Sequence, residues 1–88
     1  MIERKHRIES LLHQALAPIR LNVVDESHLH IGHEGAKSGG GHFSVVIEAS
    51  CFDGLSLIQR HQLVYAALKD LIPHEIHALK IKAAPPSA

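Results

Sequence analysis

The stretch from residue 52 to residue 82 constrains the fold of this chain most, because it holds a helix with both ends marked and then a strand. Ser56 and Gln59 form a capping-box pattern, in which each side chain accepts a bond from the backbone N–H of the other residue. A helix is therefore predicted to begin there. Pro73 ends it, because its ring fixes φ and removes the N–H donor. Residues 75–82 then alternate as a strand does.

An apolar stripe is expected along this helix, because residues three and four apart share one side of a helix. The stripe consists of Leu57, His61, Val64, Leu68 and Leu71, widened by Ile58, Tyr65 and Ile72. His61 lies within it, so we expect a buried imidazole that is hydrogen-bonded to the backbone. Arg60 beside it is expected to face outward. In the strand, His77, Leu79 and Ile81 are expected to share one face.

The preceding residues predict a helix over 2–16, a strand over 19–25, a glycine-rich loop over 26–41 and a second strand over 42–49. Glu3 and Arg7 stand four apart in the first helix, in the order that favours an ion pair. With a short helical turn before the long helix, this order predicts an α+β sandwich, with helices on one face of a three-stranded sheet.

The crossover through the long helix predicts that the second and third strands are parallel. Because parallel strands start at the same edge of a sheet, His77 is expected beside His42 and therefore beside the glycine-rich loop. Cys51 is expected far from this point, at the other end of the second strand.

Composition narrows the classes of function. The 88 residues allow one small domain, predicted over 1–88 with residues 83–88 as a flexible tail. Nine lysines and arginines balance nine acidic residues, which argues against the large basic surface of nonspecific nucleic-acid binding. A single cysteine excludes an internal disulfide framework. Without a recognisable leader or long apolar span, we expect a cytoplasmic location and no membrane association.

Histidine is the compositional outlier, with nine copies. His28, His30 and His33 lie in the loop, and with His42 and His77 they form a metal-site pattern. Neutral imidazole suits zinc, copper, nickel and iron, so the pattern names no single metal. The alternative interpretation is solvated loop histidines, since the spacings of structural zinc fingers are absent. A cluster of iron and sulfur would need thiolates from a partner chain.

No nucleophile elbow, phosphate-binding loop or pair of carboxylates is present in the sequence, so neither an enzyme nor a small-molecule substrate is expected. A nucleic-acid interpretation depends on the turn at Asp53 and Gly54, which resembles a helix-turn-helix entry, and on Lys80 and Lys82 as phosphate contacts. The alternative is that both lysines protect the solvent face of an edge strand.

Several short motifs in one order resemble the BolA family from about Ile8 to Ala83. The motifs are Val24-Asp25-Glu26-Ser27, Gly41-His42-Phe43, Phe52-x-Gly54, Arg60-His61, Val64-Tyr65 and Ile76-His77-Ala78-Leu79. The resemblance implies a fold similar to the type II KH domain, with the order α-β-β-α-α-β, an antiparallel hairpin and a parallel third strand. This agrees with the order expected from the residues.

The resemblance also implies a non-enzymatic adaptor that binds a monothiol glutaredoxin. The two proteins and glutathione would share a bridged [2Fe-2S] cluster, in iron–sulfur trafficking or in iron or redox regulation. It implies His77 as one ligand and a loop residue as the other, for which His30 is the best match and His28, His33 and His42 are competitors. No cofactor is expected for the isolated chain.

The same family is linked to DNA binding, which gives an alternative function as a transcriptional regulator. The helix-turn-helix-like segment 52–72 and the last strand would contact DNA through Arg60, Lys80 and Lys82. Family members often have Arg-His-Arg where this chain has Arg-His-Gln, ending at Gln62. The missing positive charge weakens this alternative.

Overall fold

A computed structural model of the protein describes residues 3–27 and 41–87. Within these residues, two helices and three strands follow one another: α1 (Arg4–Leu16), β1 (Arg20–Asp25), β2 (Gly41–Glu48), α2 (Leu57–Ala67) and β3 (Ile76–Ala84). Short 3₁₀ turns occupy Ser50–Phe52 and Lys69–Leu71. The predicted order of elements is confirmed, and the expected short helical turn before α2 is the first of the 3₁₀ turns.

The three strands form one mixed sheet in the order β1-β2-β3. β1 and β2 are antiparallel, whereas β2 and β3 are parallel. α1 packs against β1, α2 packs against β3, and the helices also contact each other. One apolar cluster lies between the helices and the sheet, and it consists of Ile8, Leu12, Val23, Phe43, Val45, Ile47, Ala49, Phe52, Val64, Leu68, Leu71, Ile76 and Ala83. The predicted α+β architecture is confirmed.

β2 alternates strictly between its two faces. Phe43, Val45 and Ile47 are buried, whereas His42 and Ser44 on the other face are half-buried. Side chains along a strand alternate in this way because successive Cβ atoms point to opposite faces of the sheet. The face opposite the helices therefore carries His42.

The capping box that the sequence predicts is present at the start of α2. Ser56 Oγ accepts a hydrogen bond from the Gln59 backbone N–H at 3.2 Å, and Gln59 Oε1 accepts one from the Ser56 N–H at 2.9 Å. Each bond satisfies a backbone donor at the start of the helix. The two bonds fix where α2 leaves the turn that follows β2.

Ser56→Ala is expected to lower the free energy of unfolding by about 1 kcal/mol, because it removes the hydroxyl that caps α2. Chemical denaturation followed by far-ultraviolet circular dichroism measures the change. Ser87→Ala is the control, since Ser87 bonds only Glu48 at the end of the chain described. An effect of Ser56→Ala no larger than that of the control would contradict a stabilising cap.

α2 is rotated relative to the stripe that the sequence predicts. Val64, Leu68 and Leu71 are buried as expected, but Leu57 and Ile58 are 60% and 70% exposed. Arg60 takes the inward position instead, because its guanidinium donates to the Leu55 carbonyl at 3.1 Å and to the Ala83 carbonyl at 3.2 Å. The expectation that Arg60 faces outward is wrong, and the exposure of Tyr65 follows from the same rotation.

β3 departs from the prediction at both ends. Gly41 pairs with Ile76 but His42 pairs with Ala78, so His77 is an extra residue in a β-bulge. The bulge moves Ile76 to the side of the core and leaves His77 exposed, so His77 does not share a face with Leu79 and Ile81.

The strand also continues to Ala84, because Ala83 and Ala84 pair with Ile47 and Glu48. The predicted flexible tail is therefore wrong for these two residues. Ala83 is buried in the core.

α1 begins at Arg4, and its Arg7 has a different partner from the one predicted. The sequence favours an ion pair with Glu3, but the Arg7 guanidinium bonds both carboxylate oxygens of Glu75, just before β3. Spacing within one helix reveals only local partners, whereas this pair joins residues 68 positions apart. The contact ties α1 to the start of β3.

Candidate metal centre

Two histidines from different strands meet at one edge of the sheet. The ring centroids of His42 and His77 are 5.4 Å apart, with the ring planes tilted by 46°. His42 is the second residue of β2 and His77 the second residue of β3. The expectation that parallel strands place these two residues side by side is confirmed.

The main chain of His42 is held by the residues that follow β1. The Ser27 hydroxyl accepts a hydrogen bond from the His42 N–H at 3.1 Å, and the His42 carbonyl accepts one from the Glu26 N–H at 2.8 Å. Asp25 Oδ1 in turn accepts from the Ser27 N–H at 2.9 Å. This is a local side-chain-to-backbone turn of the kind that aspartate favours. The backbone of His42 is thus fixed on both sides.

Gly41, next to His42, has no space for a side chain. A Cβ atom built at this position would lie 2.5 Å from Cε2 of Phe43 and 3.2 Å from Oγ of Ser27. Phe43 is 1% exposed, so its ring has little freedom to move. The Gly41 N–H also donates to the Glu75 carbonyl at 3.0 Å, which joins the start of β2 to the start of β3.

Gly41→Ala is expected to lower the free energy of unfolding by about 1–3 kcal/mol, because the added methyl group forces the Phe43 ring or Ser27 to move. The amide resonance of His42 should shift as well, since Ser27 bonds it. Thermal unfolding and a ¹H–¹⁵N spectrum measure both effects. Gly54→Ala is the control for steric crowding, since no atom lies within 4 Å of a Cβ atom at that position. Its own cost is backbone strain, because φ at Gly54 is +73°. An unchanged His42 amide in Gly41→Ala would contradict the close packing.

The separation of the two ring centroids is compatible with a shared metal ion, and Nε2 of His42 is buried. With metal–nitrogen bonds of about 2.0–2.1 Å, two imidazoles at a tetrahedral angle have ring centroids roughly 5 Å apart. The observed 5.4 Å is close to this value. Within residues 3–27 and 41–87, no group of three histidine, cysteine or carboxylate side chains is placed to hold a metal. A metal ion at this pair would therefore need further donors from outside the described residues.

The remaining residues of the predicted metal site lie outside the described part of the chain. These are His28, His30 and His33, which belong to the segment between residues 27 and 41. Cys51 is exposed, and its Sγ lies 3.7 Å from the Leu16 carbonyl. It follows the end of β2 that is opposite His42, as expected.

His61 is half-buried on α2, and it differs from the prediction in its hydrogen bonding. Its Nε2 is buried but has no hydrogen-bond partner within the described residues. The expected bond from this nitrogen to the backbone is therefore absent there. The ring lies on another element from His42 and His77.

Two of the three cationic residues expected to contact DNA, Arg60 and Lys80, make polar contacts within the protein. Arg60 bonds two main-chain carbonyls. Lys80 Nζ lies 3.6 Å from Glu26 Oε1, although its side chain is largely exposed. Lys82 is exposed on the same strand. The two lysines occupy the solvent face of β3, as expected, and Arg60 does not join them.

The sequence analysis did not predict the hydrogen bonds and the ion pair close to the two histidines. The Asp25-Glu26-Ser27 run could have been recognised as a turn that caps a strand, since aspartate and serine favour such bonds. The Arg7–Glu75 pair had no signal in a single sequence, because its members are 68 positions apart.

Comparison with known proteins identifies relatives over nearly the whole chain. The family model described as BolA-like protein matches residues 12–88. Protein BOLA1, chloroplastic, of Arabidopsis thaliana is 37% identical over 87 residues, 96% of this chain and 54% of that protein. The DNA-binding transcriptional regulator BolA of Escherichia coli is 36% identical over 77 residues, 88% of this chain and 70% of that protein.

A solved structure has the same fold. The BolA domain of SufE1 from Arabidopsis thaliana aligns with a TM-score of 0.83 and 36% identity, over 98% of this chain and 95% of that chain. The chain spans about half the length of the plant BOLA1 relative. In the part of the chain that the structure describes, no helix has both the length and the apolarity needed to cross a membrane.

Proposed function

The chain belongs to the BolA-like family, and from this premise we propose that it is a non-enzymatic adaptor for iron–sulfur clusters. It binds a monothiol glutaredoxin, and the two proteins and glutathione share a bridged [2Fe-2S] cluster. The role lies in iron–sulfur trafficking or in iron or redox regulation. His77 is one ligand, and the segment around the start of β2 provides the other.

The observation that carries this proposal is the pair of imidazoles at the edge of the sheet. His77 is exposed, and its ring lies 5.4 Å from that of His42 between centroids. Imidazole is a suitable ligand for iron, and two histidines replace two cysteines on one iron in Rieske centres. The separation of the two rings is therefore compatible with two imidazoles on one iron.

The candidates for the second ligand are His30 and its competitors His28, His33 and His42. His30 is the residue that the family resemblance implies, whereas His42 is the one whose ring lies beside His77. His42 is the second residue of β2, whereas His30, His28 and His33 lie outside the described residues. Substitution of each in turn distinguishes them.

The sulfur ligands of this site come from glutaredoxin and glutathione. The only cysteine of the chain follows the opposite end of β2, away from the two rings. Bound at this site, the cluster would supply a redox centre whose potential rises when imidazole replaces thiolate. The residues of this chain hold two imidazoles in place and leave one of them accessible to a partner.

The test is a titration of a cluster-loaded monothiol glutaredoxin with this protein, followed by visible circular dichroism. The wild-type protein should give a saturating change in the spectrum. Parallel titrations with His28→Ala, His30→Ala, His33→Ala and His42→Ala identify the second ligand as the residue whose loss abolishes or alters that change. No spectral change with the wild-type protein would overturn the proposed function.

A second candidate function is DNA-binding transcriptional regulation, which the name of the Escherichia coli relative favours. In this chain Lys80 and Lys82 are exposed on β3, and α2 presents Leu57 and Ile58 to solvent. Because the Arg60 guanidinium donates to two main-chain carbonyls, one of the expected phosphate contacts is lost. The geometry therefore supports this function less well than the adaptor.

A salt series of duplex binding tests the second candidate. The logarithm of the binding constant falls linearly with the logarithm of the salt concentration, with a slope of about −0.9 for each phosphate contact. Regulation through DNA predicts sequence preference together with such a slope. Weak binding that modest salt abolishes, with no preference among duplexes, would exclude it.

The cytoplasmic location also stays a prediction. The plant relative is named as a chloroplast protein, so family membership alone does not fix the compartment. The reducing conditions that the single cysteine suggests are compatible with both compartments.

A further inference from the structure

The ion pair of Arg7 and Glu75 lies close to His77, because Glu75 precedes His77 by two residues. The Glu75 N–H donates to the Leu71 carbonyl at 2.8 Å, and the Glu75 carbonyl accepts from the Gly41 N–H at 3.0 Å. The backbone of Glu75 therefore connects the end of a 3₁₀ turn to the start of β2. Its side chain provides a third connection, to α1.

This third connection is specific in its geometry. Both terminal nitrogens of Arg7 bond the carboxylate of Glu75, one to each oxygen. Such a fork fixes the direction of both side chains as well as their distance. The side chains are 40% and 26% exposed, so solvent screens the pair less than a pair on the open surface. Arg7 itself is anchored, because Ile8 next to it lies in the core.

The position of His77 depends on its flanking residues more than that of an ordinary strand residue. His77 is the extra residue of the bulge, where the ladder of backbone hydrogen bonds is locally interrupted. On one side, Ala78 is paired with His42. On the other side, Ile76 is buried and Glu75 is bonded to Arg7. The two sides together set where the imidazole points.

We propose that the Arg7–Glu75 ion pair is a positioning device, which holds the start of β3 so that the His77 imidazole stays against His42. Neither Arg7 nor Glu75 contributes an imidazole to the pair, so both act through the bulge. The consequence for cluster binding rests on the proposed function, but the placement of the two rings does not. The competing explanation is that the pair only adds stability between α1 and β3.

The test compares Arg7→Ala and Glu75→Gln with a charge swap, in which Arg7→Glu is combined with Glu75→Arg. The first readout is the nuclear Overhauser contact between the ring protons of His42 and His77 in the isolated protein, at a temperature where each variant is folded. The second is the visible circular dichroism of the cluster shared with glutaredoxin. Arg20→Ala is the control, because it removes another ion pair of the sheet, with Glu48 at 3.7 Å.

The ring contact is expected to weaken at least twofold in Arg7→Ala and Glu75→Gln, to recover in the charge swap and to stay unchanged in Arg20→Ala. The cluster spectrum should follow the same order. An unchanged ring contact in both single variants would overturn the proposal, and so would a folded charge swap that fails to restore it. If wild-type protein shares no cluster, the proposed function fails, and the ring contact alone decides the positioning role.

Discussion

His77→Ala is expected to abolish the saturating spectral change that the wild-type protein produces in cluster-loaded glutaredoxin. The exposed ring of His77 lies beside His42, and no other described residue extends this pair into a group of three possible ligands. Loss of an outer partner of a metal ligand typically costs roughly 10–100-fold in metal affinity, so loss of a ligand should cost more. We therefore expect the apparent affinity to fall by at least about 100-fold.

His13→Ala is the matched control for this experiment. His13 is an exposed histidine in the last turn of α1, so its replacement removes an imidazole without touching the sheet edge. It should behave as the wild-type protein does. If His77→Ala and His13→Ala gave the same titration, His77 would not be a ligand.

Phe43→Ala is expected to lower the free energy of unfolding by about 3–5 kcal/mol, because it opens a cavity in the single core. Phe43 is 1% exposed, and it pairs with Asp25 on one side and Leu79 on the other. Small domains have total stabilities of about 5–15 kcal/mol, so this loss is a large part of the whole. Chemical denaturation measures it.

Ile58→Ala is the control for burial. Ile58 is 70% exposed, so its truncation should change the free energy of unfolding by no more than about 0.5 kcal/mol. A small effect of Phe43→Ala, similar to that of Ile58→Ala, would contradict the placement of Phe43 in the core. It would also remove the basis for the close packing at Gly41.

The parts of the fold that depend on local signals could be predicted from the sequence. Ser56 and Gln59 mark the start of α2, and both bonds of the capping box are present. The alternation of β2 and the parallel crossover place His42 beside His77, because the directions of the strands follow from the order of the elements.

The rotation of α2 could not be predicted from its hydrophobic pattern. The stripe gave Leu57 and His61 inward positions, whereas the structure turns Arg60 towards β3. The carbonyls of Leu55 and Ala83 accept hydrogen bonds from the Arg60 guanidinium, so a charged side chain lies on the inner side of α2. A pattern of apolar residues does not contain information about such distant acceptors.

The bulge at His77 is the other feature that strand periodicity misses. A strict alternation puts His77 on the same side as Leu79, but one extra residue opposite Gly41 and His42 reverses the side. Because the bulge turns the imidazole outward, it matters directly for the candidate metal centre. The pair of Arg7 and Glu75 beside it lies beyond what local spacing can reveal.

Pulsed electron paramagnetic resonance of the reduced, shared cluster tests most directly whether His77 is a ligand. This chain, labelled with ¹⁵N only in histidine, is combined with unlabelled glutaredoxin and glutathione. We expect a strong ¹⁵N coupling that His77→Ala removes in part or in full and that His13→Ala leaves unchanged. A reduced cluster that shows no coupling to histidine nitrogen of this chain would contradict ligation by His77.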